Sequence, residues 1–146
     1  MNHHSLFPRE KEYFWRNVLK FIDQITEIRI RIQKPIVIYI NQKQLSLNDR
    51  GEFLYSIENG YQFQYEELQK LIDFWCLDSR YAFQEDIKKG FLTIKGGHRI
   101  GICGEVVYEN VGKLQSIKYI SSINIRIAHE IIGAADSIIK YINTKE

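Results

Sequence analysis

The chain has 146 residues, with 20 Lys+Arg against 18 Asp+Glu, so its formal net charge is only +2. Hydrophobic residues make up 45% and charged residues 26%, an ordinary globular composition that argues against disorder and gives no overall basic surface for nucleic acid. The length suits one domain with a core of its own and no need of disulfide staples.

Pro8 is suited to a first helical turn, because its missing N–H would go unbonded there. From Arg9 to Gln24 the apolar residues Phe14, Val18, Phe21, Ile22 and Ile25 fall at helical spacing, with Glu10, Glu12, Arg16, Lys20 and Asp23 on the other side. The period then changes to two. In Glu27–Ile32 three isoleucines share one face, and Glu27, Arg29 and Arg31 share the other. Ile36–Ile40 is apolar on both faces, as in a covered strand. A turn at Asn41–Gln44 leads to a short strand around Leu45 and Leu47. Residues 48–63 are read as a loop, with room for a short strand at Glu52–Ile57.

Leu68, Leu71, Ile72 and Trp75 mark a second helix over Tyr65–Cys76, and Glu66 and Glu67 suit its first turn. A third helix, Arg80–Lys89, follows a Ser79 cap and stops at Gly90. Phe91–Ile94 and His98–Tyr108 form a hairpin through Lys95-Gly96-Gly97, because glycine permits positive φ. After a turn at Asn110–Lys113 come strands at Leu114–Tyr119 and Ile123–Ile127. Ala135, Ile138, Ile139 and Ile142 define a last helix. The 24 isoleucines and four alanines favour strands, and codon bias in an AT-rich genome would give the same skew. The expected class is α+β: a mixed, mostly antiparallel sheet of about five to seven strands with helices packed on one face. Residues 1–8 are expected to be a flexible N-terminus and 9–146 a single domain.

No apolar run approaches the roughly 18–20 residues of a membrane-spanning helix. Met1–Ser5 lacks the basic and apolar stretches of a secretion signal. Cys76 and Cys103 match no redox or zinc spacing, and no metal constellation stands out. No GxxxxGK[ST], GxGxxG or GxSxG motif occurs. His98 is the best single acid/base candidate, but a lone His in a hairpin is more often structural, and no catalytic set converges on it. Gly101 and Gly104 fall inside a strand, where glycine marks a bulge or a close backbone approach.

The arginines carry more. Arg29 and Arg31 project from one strand face, Arg99 begins a strand and Arg126 projects from another. A guanidinium is planar, permanently charged and matched to phosphate oxygens. Each could equally sit in an ordinary ion pair, with Glu27 or Glu105 for example.

The string "YAFQEDIKKGFLTIKGGHRIGICGEVV", the early "EIRIRIQKP" and the later "ISSINIRIAHEIIGAAD" resemble the N-terminal region of the stage III sporulation protein AA family. The likeness covers roughly Ile25 to Ile142. That family is similar to the hexameric ATPases of type II, type IV and pilus secretion, in which a small α/β domain precedes a RecA-like ATPase domain. The resemblance implies a regulatory and assembly domain that packs on a neighbouring subunit's ATPase domain within a sporulation channel complex. It places the protein in the cytoplasm on the mother-cell side of that complex, with no DNA partner and no direct membrane insertion. Arg99 in "GGHRIG" and Arg126 in "INIRIA" then become candidates for contact with nucleotide in trans. Arg29 and Arg31 become candidates for the domain interface or a second phosphate contact, and Gly96 and Gly97 form the turn that aims Arg99. ATP and Mg are implied for the full-length protein, and no cofactor for this chain. The chain reaches Glu146 where the family would continue into its P-loop strand, so it is expected to be an excised domain or a truncated relative that does not hydrolyse ATP alone. Two other readings stay open: a single-stranded nucleic-acid-binding module using its tyrosines as stacking platforms, and a purely structural oligomerisation domain.

Overall fold

The computed structural model describes residues 6–110 and 114–129; the side chains of 108–110 and 114–116 fall outside that description. Seven strands form one sheet: β1 (Ile25–Arg31), β2 (Val37–Ile40), β3 (Lys43–Leu47), β4 (Phe53–Leu54), β5 (Phe91–Thr93), β6 (Arg99–Asn110) and β7 (Leu114–Arg126). Their order is β4-β3-β2-β1-β7-β6-β5. Every pairing among the described residues is antiparallel, so the expected mixed sheet holds no parallel pair there. Among the described residues the helices are α1 (Glu12–Lys20), α2 (Tyr65–Trp75) and α3 (Gln84–Lys89). The fold is α+β.

The isoleucine alternation sets one face of the sheet. Ile28 and Ile30 of β1, Ile123 and Ile125 of β7, and Ile100 and Ile102 of β6 are all buried. They join one core with Phe14, Trp15 and Val18 of α1, Leu68, Leu71, Ile72 and Trp75 of α2, and Ile87 of α3. Each such side chain contributes about 1.5–3 kcal/mol on leaving water. The helices therefore pack on one face, and the other is left to the polar residues of the same strands.

Several boundaries differ from expectation. The first helix is shorter: 3-10 turns at Arg9–Lys11 and Ile22–Gln24 flank α1, and Ile25 opens β1. The third splits into a 3-10 turn at Arg80–Phe83 and α3, and the Ser79 side chain makes no capping bond. Gly90 stops α3 at φ +91, as its sequence position implied. α2 ends at Trp75 and starts with a capping box between Gln64 and Glu67. The two segments expected at Leu114–Tyr119 and Ile123–Ile127 are one strand, interrupted by irregular pairing around Gly104. A Cβ on Gly104 would lie 2.9 Å from Ile120 Cα, so the close backbone approach there requires glycine.

Leu6 and Phe7, expected within a flexible segment over 1–8, are instead part of the core. Phe7 stacks on Trp15 at 3.8 Å between ring centroids, and Trp75 Nε1 donates to the Leu6 carbonyl at 2.8 Å. The helix expected around Ala135–Ile142 lies outside the described residues.

Candidate functional site

Strand register decides which polar residues meet. In β1–β7, Glu27 faces Arg126, Arg29 faces Asn124 and Arg31 faces Ser122. In β7–β6, Arg126 faces Arg99, Asn124 faces Gly101 and Ser122 faces Cys103. In β6–β5, Arg99 faces Thr93 and Gly101 faces Phe91. Residues directly opposite in a ladder share a face. Arg29, Arg31, Arg99 and Arg126 therefore all stand on the sheet face that the helices leave open.

The rows differ in charge balance. Glu27 is the only carboxylate in these three rows. It accepts from Arg29 Nη2 at 3.2 Å and lies 3.8 Å from Arg126 Nε. Arg29 also lies over the Tyr39 ring at 5.4 Å, and Arg99 over the Phe91 ring at 4.7 Å. Among the described residues neither Arg31 nor Arg99 has an ion pair. Arg31, Arg99 and Arg126 are exposed and Arg29 is half-buried. Among the described residues, the expected alternative of four ordinary ion pairs is met at Arg29 and, at longer range, at Arg126.

Gly96 (φ +94) and Gly97 (φ +84) make the turn that delivers the chain into Arg99, the first residue of β6. Beside it, His98 is 2% exposed, and its Nδ1 accepts the Ala128 N–H at 3.0 Å. The imidazole ties the hairpin to the end of β7, which is a structural position. The second row holds a feature that residue types alone do not reveal. Gly101 leaves a shallow groove of about 250 Å³, lined by Arg29, Arg31, Cys103, Ser122 and Asn124.

Among the described side chains the tyrosines are scattered, with Tyr119 exposed on β7. Tyr39 lies under Arg29. Tyr61 packs between Phe14 and Phe63. Tyr55 and Tyr81 are exposed in segments outside the sheet. Among the described residues no group of His, Cys, Asp and Glu could hold a metal ion, and no helix is long and apolar enough to cross a membrane.

No solved structure matches the chain. It is similar to Stage III sporulation protein AA of Bacillus subtilis (strain 168), with 34% identity over 119 residues. That match takes in 82% of this chain and 34% of the relative, so the chain spans about a third of the length of the curated protein it matches. A family profile described as "Sporulation stage III, protein AA" matches residues 9–146, nearly the whole sequence. The chain belongs to the sporulation stage III protein AA family.

Proposed function

We propose that this chain is the regulatory and assembly domain of a sporulation-associated, secretion-type ATPase. Its open sheet face packs on the RecA-like ATPase domain of a neighbouring subunit and brings Arg99 and Arg126 to the terminal phosphates of the nucleotide held there. ATP and Mg belong to that ATPase domain, and this chain alone performs no hydrolysis. The assembly is a hexamer on the cytoplasmic, mother-cell side of a membrane channel complex.

The observation that carries this reading is the Arg99–Arg126 pair. Like charges directly opposite on a strand ladder are destabilising, and the carboxylate of this row, Glu27, sits beside Arg126 and not beside Arg99. Two arginines directly opposite on neighbouring strands, with no carboxylate between them in the row, suit a phosphoryl group whose charge grows in the transition state. A nucleic-acid module would need rings open to bases, whereas Tyr39 and Phe91 on this face already carry guanidiniums.

The test uses the assembled full-length protein. Arg99→Gln and Arg126→Gln should each lower ATP turnover, by up to about 10³-fold for a group that contacts the transferring phosphoryl, while nucleotide affinity changes far less. Unchanged turnover in both variants rules the reading out.

A further inference from the structure

The two end strands of the sheet are short: β4 has two residues and β5 three. Short edges offer little backbone to another chain. β6 is different. β5 pairs with it only over Arg99–Gly101, whereas β6 runs on to Asn110. Among the described residues, no backbone hydrogen bond other than those to β7 reaches residues 103–110. That stretch holds no lysine or proline, the residues that blunt such an edge. The companion strand is less open. Gln69 Nε2 donates to the Ile120 carbonyl at 2.8 Å, and Lys118 stands exposed on β7.

The direction of the free backbone groups follows from alternation. The Ile102 N–H points away from β7, because it donates to the Gly90 carbonyl at 2.7 Å. Successive residues of a strand turn their N–H and C=O groups to opposite edges. The groups of Gly104 and Val106 therefore point outward with those of Ile102, and the groups of Glu105 and Val107 point to β7. The irregular pairing nearby leaves Tyr119 and Ser121 as extra residues on β7, so β6 itself stays in phase. An apolar side chain stands exposed at the same place. Val106 is 48% exposed. It lies opposite Ile117, which packs against the core, so it belongs to the face that the helices cover.

This edge is complementary to a second copy of itself. Two β6 edges can pair antiparallel only if outward-pointing residues face each other, which leaves registers in steps of two. Facing Gly104 with Gly104 would bring residue 107 of the second copy against Gly101, where β5 already lies. Facing Gly104 with Val106 sets Glu105 directly against Glu105. Facing Val106 with residue 108 sets Glu105 against Glu109. Like charges directly opposite are destabilising. Facing Val106 with Val106 avoids all three. Glu105 then faces Val107, and Ile117 and Val106 of both copies form one apolar row across the junction.

We propose that the outer edge of β6 is a self-association surface, at which two copies pair β6 to β6 about a two-fold axis at Val106. Such a contact is isologous, whereas a ring is built from head-to-tail contacts. The dimer therefore goes beyond the proposed function and does not depend on it.

Sedimentation of the native chain over a range of concentrations should show monomer and dimer in exchange. Val106 faces itself across the axis, so its charge variants give the sharpest test. Val106→Lys and Val106→Glu, at an exposed position, should each weaken the dimer about tenfold at low ionic strength, from the broken apolar row and the like charges together. An equimolar mixture of the two should restore it as a heterodimer. Val106→Pro removes an outward N–H that β7 does not use, and should weaken association similarly while the urea midpoint stays near the parent's. In hydrogen exchange, the Gly104 and Val106 amides should slow as concentration rises, and those of Glu105 and Val107 should not change. A dimer that survives both charge variants overturns the proposal, as does failure of the mixture to restore association. A chain that stays monomeric also overturns it. Gly104 and Val106 amides that then exchange freely leave the edge to a strand of another protein, whereas protection at every concentration assigns it to a segment of the same chain, such as 130–146.

Discussion

Arg99 and Arg126 face each other directly across the β6–β7 ladder, with Glu27 next in the same row beyond Arg126. The row thus reads Glu27, Arg126, Arg99, Thr93 from β1 to β5. Its charge is lopsided, and that imbalance can be measured as stability.

Arg99→Gln removes a like-charge contact and also the stacking over Phe91. Each effect is about 0.5–1 kcal/mol at an exposed site and they oppose each other. The expected change in urea unfolding free energy is therefore within about 0.5 kcal/mol. A loss of several kcal/mol would show that Arg99 is a structural residue, and would undercut its assignment to a ligand.

Phe7→Ala should be far more costly. The ring is buried and stacks on Trp15, which itself touches Phe14 and Phe63. Truncation of a buried Phe costs about 3–5 kcal/mol. Tryptophan fluorescence during urea unfolding reads the loss directly. An unshifted midpoint would mean that the N-terminal segment leaves the core in solution.

Gly51→Ala tests the seating of the 48–63 loop on α1. Gly51 has φ +78, and an added Cβ would lie 2.1 Å from the Phe14 carbonyl oxygen. Its own carbonyl accepts from Asn17 Nδ2 at 3.0 Å. The expected loss is about 2–4 kcal/mol, from the left-handed backbone and the forced separation together. Thermal unfolding of the purified variant gives the answer, and a midpoint within a degree of the parent would show that the loop can lift away.

The pH dependence should carry a signature of Glu67. Burial works to raise its carboxyl, but hydrogen bonds from Lys11, the Tyr61 hydroxyl and the Gln64 N–H, with the Lys11 charge, hold it below the ordinary 4.5. A carboxyl lowered in the folded state stabilises the fold above its unfolded value and loses that contribution as pH falls through the folded one. Stability should therefore decline below about pH 4.5, and Glu67→Gln should flatten that acid limb. Tyr61 shifts the other way. Burial and its bond to Glu67 raise its hydroxyl above 10, so its contribution is lost as pH rises past that value. Denaturation curves across both ranges check the two signs, and an unaltered acid limb in Glu67→Gln would remove Glu67 from the account.

Much of this was legible from period alone. Strict alternation over Ile28–Ile32 placed Arg29 and Arg31 on one face, and the glycine pair placed the β5–β6 turn. Register was not legible. The pairing of β1 with β7 joins residues far apart in sequence, and no local pattern encodes that Arg29 meets Asn124. The irregular pairing near Gly104 also shifted the phase of β7, so one strand read as two. The groove escaped for a related reason: Gly101 announces a missing side chain, but its neighbours come from three other strands. The core role of Leu6 and Phe7 was hidden because two apolar residues are too short a run to show a period.

The central position of β1 has a consequence for biosynthesis. Its partner β7 begins more than eighty residues after β1 ends. At about 5–20 residues per second, a ribosome leaves that inner edge unpaired for several seconds while β2, β3 and α2 already exist. An open strand edge is a template for wrong pairing. Arg29 and Arg31, alternating with isoleucines along it, put like charges on any second copy that approaches in the same register. The residues that mark the mature surface also guard the nascent chain.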